Sequence, residues 1–204
     1  MNFSLTKLLT YLFFDDILKV IKHILGAFMK KVLISAFLPF NRKGNNYSAE
    51  VLKYVSSDSV EIDKVIVDVI YDKCFDELST YGLDNYDYII AMGEARMRDI
   101  LTVEKRAKNI SSCSLPDNSG EIKQNEVIDP SFGEYIENEM DLSLFCEFAE
   151  ISCDAGKFVC NNMYFHLLSY DAKRTLFIHI PECNNDIEAY ISIADKVKGI
   201  IESL

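Results

Sequence analysis

The chain has 204 residues, 49% hydrophobic and 26% charged, with a formal net charge of −11. That length and balance suit one globular domain with a full core and exclude a disordered chain, while the negative charge argues against nucleic acid as a partner, because phosphate backbones are repelled. Three His and six scattered Cys without a Cys-x-x-Cys pair leave little for a zinc site, so no metal or cofactor is expected, and the irregular cysteine spacing points to reduced thiols in the cytoplasm.

Residues 1–28 set Leu5, Leu8, Leu9, Leu12, Ile17, Val20, Ile21, Ile24, Leu25 and Phe28 at helical spacing, with charged residues between them. This predicts an amphipathic helical N-terminal extension. It is too short and too charged for a membrane span, and Asp15-Asp16 stands where a signal peptide carries small residues. The extension packs on the domain, is a start-site artefact with Met29 as the natural beginning, or is a membrane-surface or partner helix. A single α/β domain is expected over 29–204.

Lys31–Phe37 is an apolar, β-branched run and predicts a buried strand. A helix follows over Ser48–Val55 with Ser48 as N-cap, then a strand over Val60–Ile70, a helix over Asp72–Tyr81 closed by Gly82, and a strand over Tyr86–Met92. Strands over Glu147–Ser152 and Leu176–Ile180 and helices over Asn161–Ser169 and Asp186–Leu204 complete the pattern. Strands alternating with helices predict an α/β three-layer sandwich, a mostly parallel central sheet flanked by helices. In such sheets functional groups gather at the carboxyl ends of the strands.

Chemistry-bearing residues fall at those ends. Cys160 stands where a helix begins, after Ala155-Gly156, and a helix N-terminus favours a thiolate. His179 ends a strand; taken alone, a His in such an apolar run reads as a core residue. Glu104, before Lys105-Arg106, reads alone as part of a solvated charged stretch. A thiol, an imidazole and a carboxylate are nevertheless the three parts of a cysteine hydrolase.

The segments Ser152-Cys153-Asp154-Ala155-Gly156-Lys157-Phe158-Val159-Cys160-Asn161 and Phe177-Ile178-His179-Ile180-Pro181, the set Gly93, Arg98, Glu104, Ala107 and Asn109, and Phe37-Leu38-Pro39-Phe40 together resemble the motifs of pyroglutamyl peptidase I, the pyrrolidone-carboxylate peptidase family. Pro116-Asp117-Asn118-Ser119-Gly120 resembles that family's Pro-Asp-Asn-x-Gly turn. The resemblance implies a cysteine exopeptidase that removes N-terminal pyroglutamate, with Cys160 as nucleophile, His179 as base and Glu104 orienting it. Arg98 and the Cys160 backbone N–H would form the oxyanion hole. Phe37, Phe40, Phe158 and Val159 would bind the lactam, and a homotetramer acting on pyroglutamyl peptides in the cytoplasm is implied.

The chain departs from the family at Asn41-Arg42, where Gly-Gly is usual, at Asn46-Tyr47-Ser48, where Asn-Pro-Ser/Thr is usual, at Ala36 in place of a Gly before Phe37, and in the 93–98 loop, which lacks the usual Pro and Gly. Two rival readings follow: a catalytically silent homologue that holds cyclised N-termini, and a membrane-peripheral protein acting through residues 1–28.

Overall fold

The computed structural model describes residues 29–42 and 44–204; the amphipathic extension expected over 1–28 lies outside the described residues. Residues Lys31–Leu204 cluster as one compact unit. The elements run β1 (Lys30–Phe37), α1 (Tyr47–Tyr54), β2 (Val60–Val67), α2 (Lys73–Ser79), β3 (Tyr88–Glu94), β4 (Thr102–Glu104), β5 (Arg106–Lys108), β6 (Tyr135–Glu137), β7 (Glu150–Ser152), α3 (Val159–Asp171), β8 (Thr175–Ile180) and α4 (Ile187–Glu202). Six strands form the central sheet in the order β2-β1-β3-β8-β4-β7, and β5 pairs with β6 apart from it.

The period-two alternation of buried strands divides the core into two layers. Val32, Ile34, Ala36, Ile90, Met92, Leu176, Ile178 and Ile180 pack with Val51 and Leu52 of α1 and Val197, Ile200 and Ile201 of α4. Leu33, Phe37, Ile89, Ala91 and Phe177 pack on the other face with Cys74 and Leu78 of α2 and Met163, Phe165 and Leu167 of α3. The sheet is parallel at β1–β3, β3–β8 and β4–β7, and antiparallel at β4–β8. The three-layer sandwich read from the sequence is the architecture observed.

Several boundaries differ, each for a local reason. The first helix begins at Tyr47, and its N-cap is Asn46 rather than Ser48: the Asn46 side chain accepts the Ser48 N–H. Strand β2 stops at Val67 because the Asp68 carboxylate takes the N–H of Val69 and ends the ladder. Asp72 has φ 59°, so α2 starts one residue after it. Strand β3 runs past Gly93 because Gly93 and Glu94 pair with His179 and Ile180 of β8. Residues 145–149 turn, with Ala149 N–H donating to the Phe145 carbonyl, which shortens β7 to three residues. Strands β4, β5 and β6 are each three residues long and carry no periodic signal.

Candidate active site

Strand parity places the chemistry. On β8, Phe177 and His179 face the α3 layer, their rings 4.9 Å apart. Gly93 pairs in register with His179 on neighbouring β3. A Cβ on Gly93 would lie 2.7 Å from the Cys160 sulfur and 2.9 Å from Phe177 Cζ. Glycine is therefore required for close approach rather than for a turn. The sulfur rests over the backbone of β3, the strand next to the one that carries His179. We expect Gly93→Ala to lower the thermal unfolding midpoint, through overpacking worth about 1–3 kcal/mol, and to lower kcat more than it raises KM. Unchanged melting and unchanged kcat would contradict this packing.

Glu104 comes from β4, whose Thr102 and Val103 pair with His179 and Ile178 of β8. Its carboxylate is fully buried, and Oε1 lies 2.7 Å from His179 Nδ1. The solvated reading of Glu104 is thus corrected: two tertiary partners, His179 and Arg98, hold the charge in the interior. Arg98 Nη1 donates to Glu104 Oε1 at 2.6 Å and also to Thr102 Oγ1, and Nη2 donates to the Asp154 carbonyl at 2.6 Å. The residue expected as an oxyanion donor is bound first of all to the carboxylate. With Nδ1 held by Glu104, Nε2 is the nitrogen of His179 left to exchange a proton with a thiol.

The helix carrying Cys160 is fixed at its start. Asn161 Oδ1 accepts the Lys108 N–H, and its Nδ2 donates to the carbonyls of Lys108 and Ile110. Asn162 binds Asp72 through both its amide oxygen and nitrogen. Gly156, at φ 81°, lets the chain turn between β7 and α3. Two consecutive asparagines thereby lock the first turn of α3, and with it the sulfur, to the loops on either side.

The electrostatics differ from the sequence expectation at one point. Burial, reinforced by Glu104 and Glu94, pushes the Cys160 thiol up to about 12, outweighing Arg98 and the thiol's own backbone N–H. The helix N-terminus therefore does not produce a resting thiolate. Burial also holds the His179 imidazole below its usual 6.5, although Glu104 opposes that shift. Burial raises the Glu104 carboxyl, but the His179 hydrogen bond and charge outweigh it and leave the group below its ordinary value. These shifts favour a neutral thiol at Cys160 and a neutral imidazole at His179.

A cavity of about 210 Å³ opens beside the sulfur, lined by Phe37, Phe40, Asn46, Val69, Glu94, Leu115, Phe158, Val159 and Cys160. All four residues expected to bind the substrate line it. The Phe40 and Phe158 rings meet edge to face at 5.6 Å, and Tyr71 packs on Phe158 at 5.4 Å. Asn46, Val69, Glu94 and Leu115 were not anticipated. They come from four separate loops and strand ends, and no local signal in the sequence marks them as neighbours.

The wall holding Phe40 is fastened from outside. Asn41 and Arg42, where the family has Gly-Gly, adopt φ 56° and 54°, a region that costs an ordinary residue roughly 1–2 kcal/mol. Arg42 Nη2 binds Asp68 Oδ2 at 2.6 Å, while Asn118 Nδ2 donates to Asp68 Oδ1 at 2.6 Å and to the Pro39 carbonyl at 3.1 Å. Asp117 accepts the N–H groups of Tyr71, Ser119 and Glu121. A larger cleft of about 930 Å³, lined by Arg106, Lys108, Tyr135 and Lys157 among others, contains none of the thiol, imidazole and carboxylate. Among the described residues no group of three or more His, Cys, Asp or Glu is placed to hold a metal ion, and no helix is long and apolar enough to cross a membrane.

Comparison with known proteins narrows the reading. Residues 30–196 match the family model described as pyroglutamyl peptidase. A pyrrolidone-carboxylate peptidase of Thermoanaerobacter sp. is 31% identical, the match covering 83% of this chain and 94% of that protein. A pyrrolidone-carboxylate peptidase of Enterococcus faecalis is 30% identical over 74% of this chain and 78% of its own length. Among solved structures, pyroglutamyl peptidase I from Bacillus amyloliquefaciens superposes with a TM-score of 0.76 at 25% identity, covering 86% of this chain and 96% of that one. Pyrrolidone carboxyl peptidase from Thermus thermophilus, at 21% identity and a TM-score of 0.75 over 85% of this chain and all of that one, shares the fold. An α/β sandwich with these likenesses is a cysteine-type exopeptidase. More particularly, the chain belongs to the pyroglutamyl peptidase family.

Proposed function

We propose that the chain removes N-terminal pyroglutamate from peptides with a Cys160–His179–Glu104 triad. The observation that carries the proposal is the 2.7 Å bond between Glu104 and His179 beside a sulfur seated over Gly93, at the mouth of an apolar cavity. Pyroglutamate is a small, flat, uncharged ring, and phenyl rings with aliphatic neighbours suit it. As the sulfur attacks the carbonyl carbon that follows the ring, its proton passes to His179 Nε2. The S–C bond forms, the carbonyl oxygen takes the charge, and the Glu104 carboxylate stabilises the imidazolium.

His179 then returns the proton to the leaving amine as the C–N bond breaks. Water, deprotonated by His179, hydrolyses the thioester, and the thiol is regenerated with release of pyroglutamate. Because the resting thiol is neutral, transfer of its proton and attack of its sulfur are coupled, with no preformed thiolate. The free N–H groups at the start of α3 face the developing oxyanion, that of Cys160 first. Arg98 adds positive charge nearby and holds Glu104. Action as a cytoplasmic homotetramer belongs to the same reading and rests on the family alone.

The test is turnover of a chromogenic pyroglutamyl amide by purified protein in reducing buffer. Hydrolysis unaffected by chelators is expected. Tight binding of a pyroglutamyl peptide without hydrolysis would instead support the silent homologue.

A further inference from the structure

The cavity beside Cys160 holds one charged side chain, Glu94, at the carboxyl end of β3. Its carboxylate is mostly buried, with 14% of the side chain exposed. Oε2 accepts the backbone N–H of Tyr47 at 2.8 Å, and Oε1 accepts Nε of Arg96 at 2.6 Å. The Arg96 guanidinium also lies over the Tyr47 ring, and the Tyr47 hydroxyl is bound to Glu182. Each carboxylate oxygen can accept two hydrogen bonds, so each retains one free position.

The other polar wall residue, Asn46, has no such capacity. Its Oδ1 accepts both the N–H and the hydroxyl of Ser48, and its Nδ2 donates to the Leu38 carbonyl. Tyr47 supplies the backbone donor that Glu94 accepts. It occupies the first position of α1, where the family pattern has proline and therefore no N–H. The N–H that tyrosine restores is one of the unpaired donors of a helix start, and Glu94 satisfies it. That bond and the Arg96 contact fix the carboxylate of a residue that lines the cavity, and each oxygen keeps one acceptor position.

In a pyroglutamyl substrate the ring nitrogen is bonded to the Cα that bears the scissile carbonyl. Its N–H must therefore lie close to the Cys160 sulfur, and in a cavity of apolar walls it needs an acceptor. Resting on the function proposed above, we infer that Glu94 is a specificity-determining residue that accepts the ring N–H of the bound N-terminal lactam. A hydrogen bond to a carboxylate in a water-poor site is short and about twice as strong as a neutral one. It separates rings that carry N–H from isosteric rings that do not.

The experiment compares two competitive inhibitors of pyroglutamyl amide turnover, 2-pyrrolidone and cyclopentanone, which differ by N–H against CH₂. The wild type should bind the lactam more tightly. Glu94→Leu should reduce that preference by about tenfold, the loss of one charged hydrogen bond. Glu94→Gln, which keeps an acceptor oxygen without the charge, should fall between the two. If the leucine variant does not fold, a reduced preference in the glutamine variant still decides for the inference and an unreduced one against it. Equal weakening of both inhibitors would mean that Glu94 only anchors α1, and would overturn the inference while leaving the proposed function intact. Absence of any wild-type turnover would overturn the proposed function and this inference with it.

Discussion

Replacing Cys160 by Ala or Ser should reduce pyroglutamyl amide hydrolysis by about 10⁵- to 10⁶-fold, the usual loss when a nucleophile is removed from a unit that acts together. The chain supplies its own controls. Cys146 and Cys153 are exposed thiols close in sequence, and Cys74 and Cys183 are buried; alanine at Cys146 or Cys153 should retain most of the activity. Alkylation gives a second signature. The Cys160 thiol is pushed up to about 12 and is only partly accessible, so near neutral pH the exposed thiols should react first with iodoacetamide. Inactivation should lag behind them and follow the modification of Cys160 alone. Activity that survives Cys160→Ala would remove the nucleophile assignment.

The second large effect concerns the base. His179→Ala should lower kcat by several orders of magnitude, since it removes both the acceptor of the thiol proton and the donor to the leaving amine. The pH dependence carries more detail. The working form of His179 is the neutral ring, and burial holds its pKa below 6.5. The acid limb of kcat/KM should therefore lie below pH 6.5, with more than half of the enzyme competent at that pH. Glu104→Gln removes the group that raises the imidazole pKa and leaves Arg98 beside the ring. The acid limb should then move to still lower pH. The plateau should fall by about 10²- to 10⁴-fold, because the imidazolium formed in the transition state loses its counter-charge. A lowered plateau with an acid limb that stays fixed or moves upward would separate Glu104 from the titration of His179. A thermal melt of the variant checks that Arg98, which loses its carboxylate partner, is still accommodated.

How much of this was legible in the sequence depended on whether the signal was local. Strands β1, β3 and β8 are built on largely apolar runs, and α4 shows one apolar face, so the sandwich followed from periodicity. Cys160 and His179 could be placed because motif and strand end coincide. Glu104 could not be placed by composition: it lies in a three-residue strand flanked by Lys105 and Arg106, and only β8 and Arg98 explain its burial. The burial that outweighs the helix start at Cys160 was not legible, because helix position is visible in a sequence and desolvation by distant segments is not. Asn46, Val69, Glu94 and Leu115 share a cavity though they lie up to 69 positions apart in the chain, and nothing local announces that they meet.

The fastening of the 39–42 loop bears on how a very small ligand can be held. A ring of so few atoms offers at best about 1.5 kcal/mol per heavy atom, and immobilising each flexible wall side chain would consume about 0.5–1.5 kcal/mol of that. Phe40, Val69 and Leu115 lie on three chain segments whose neighbours converge on Asp68 through Arg42 and Asn118. The entropy of bringing those walls together is lost when the chain folds, not when the ring arrives. Two residues in the left-handed region, where two glycines would sit without strain, thus leave the loop with fewer alternative conformations and the cavity already shaped in the unliganded enzyme.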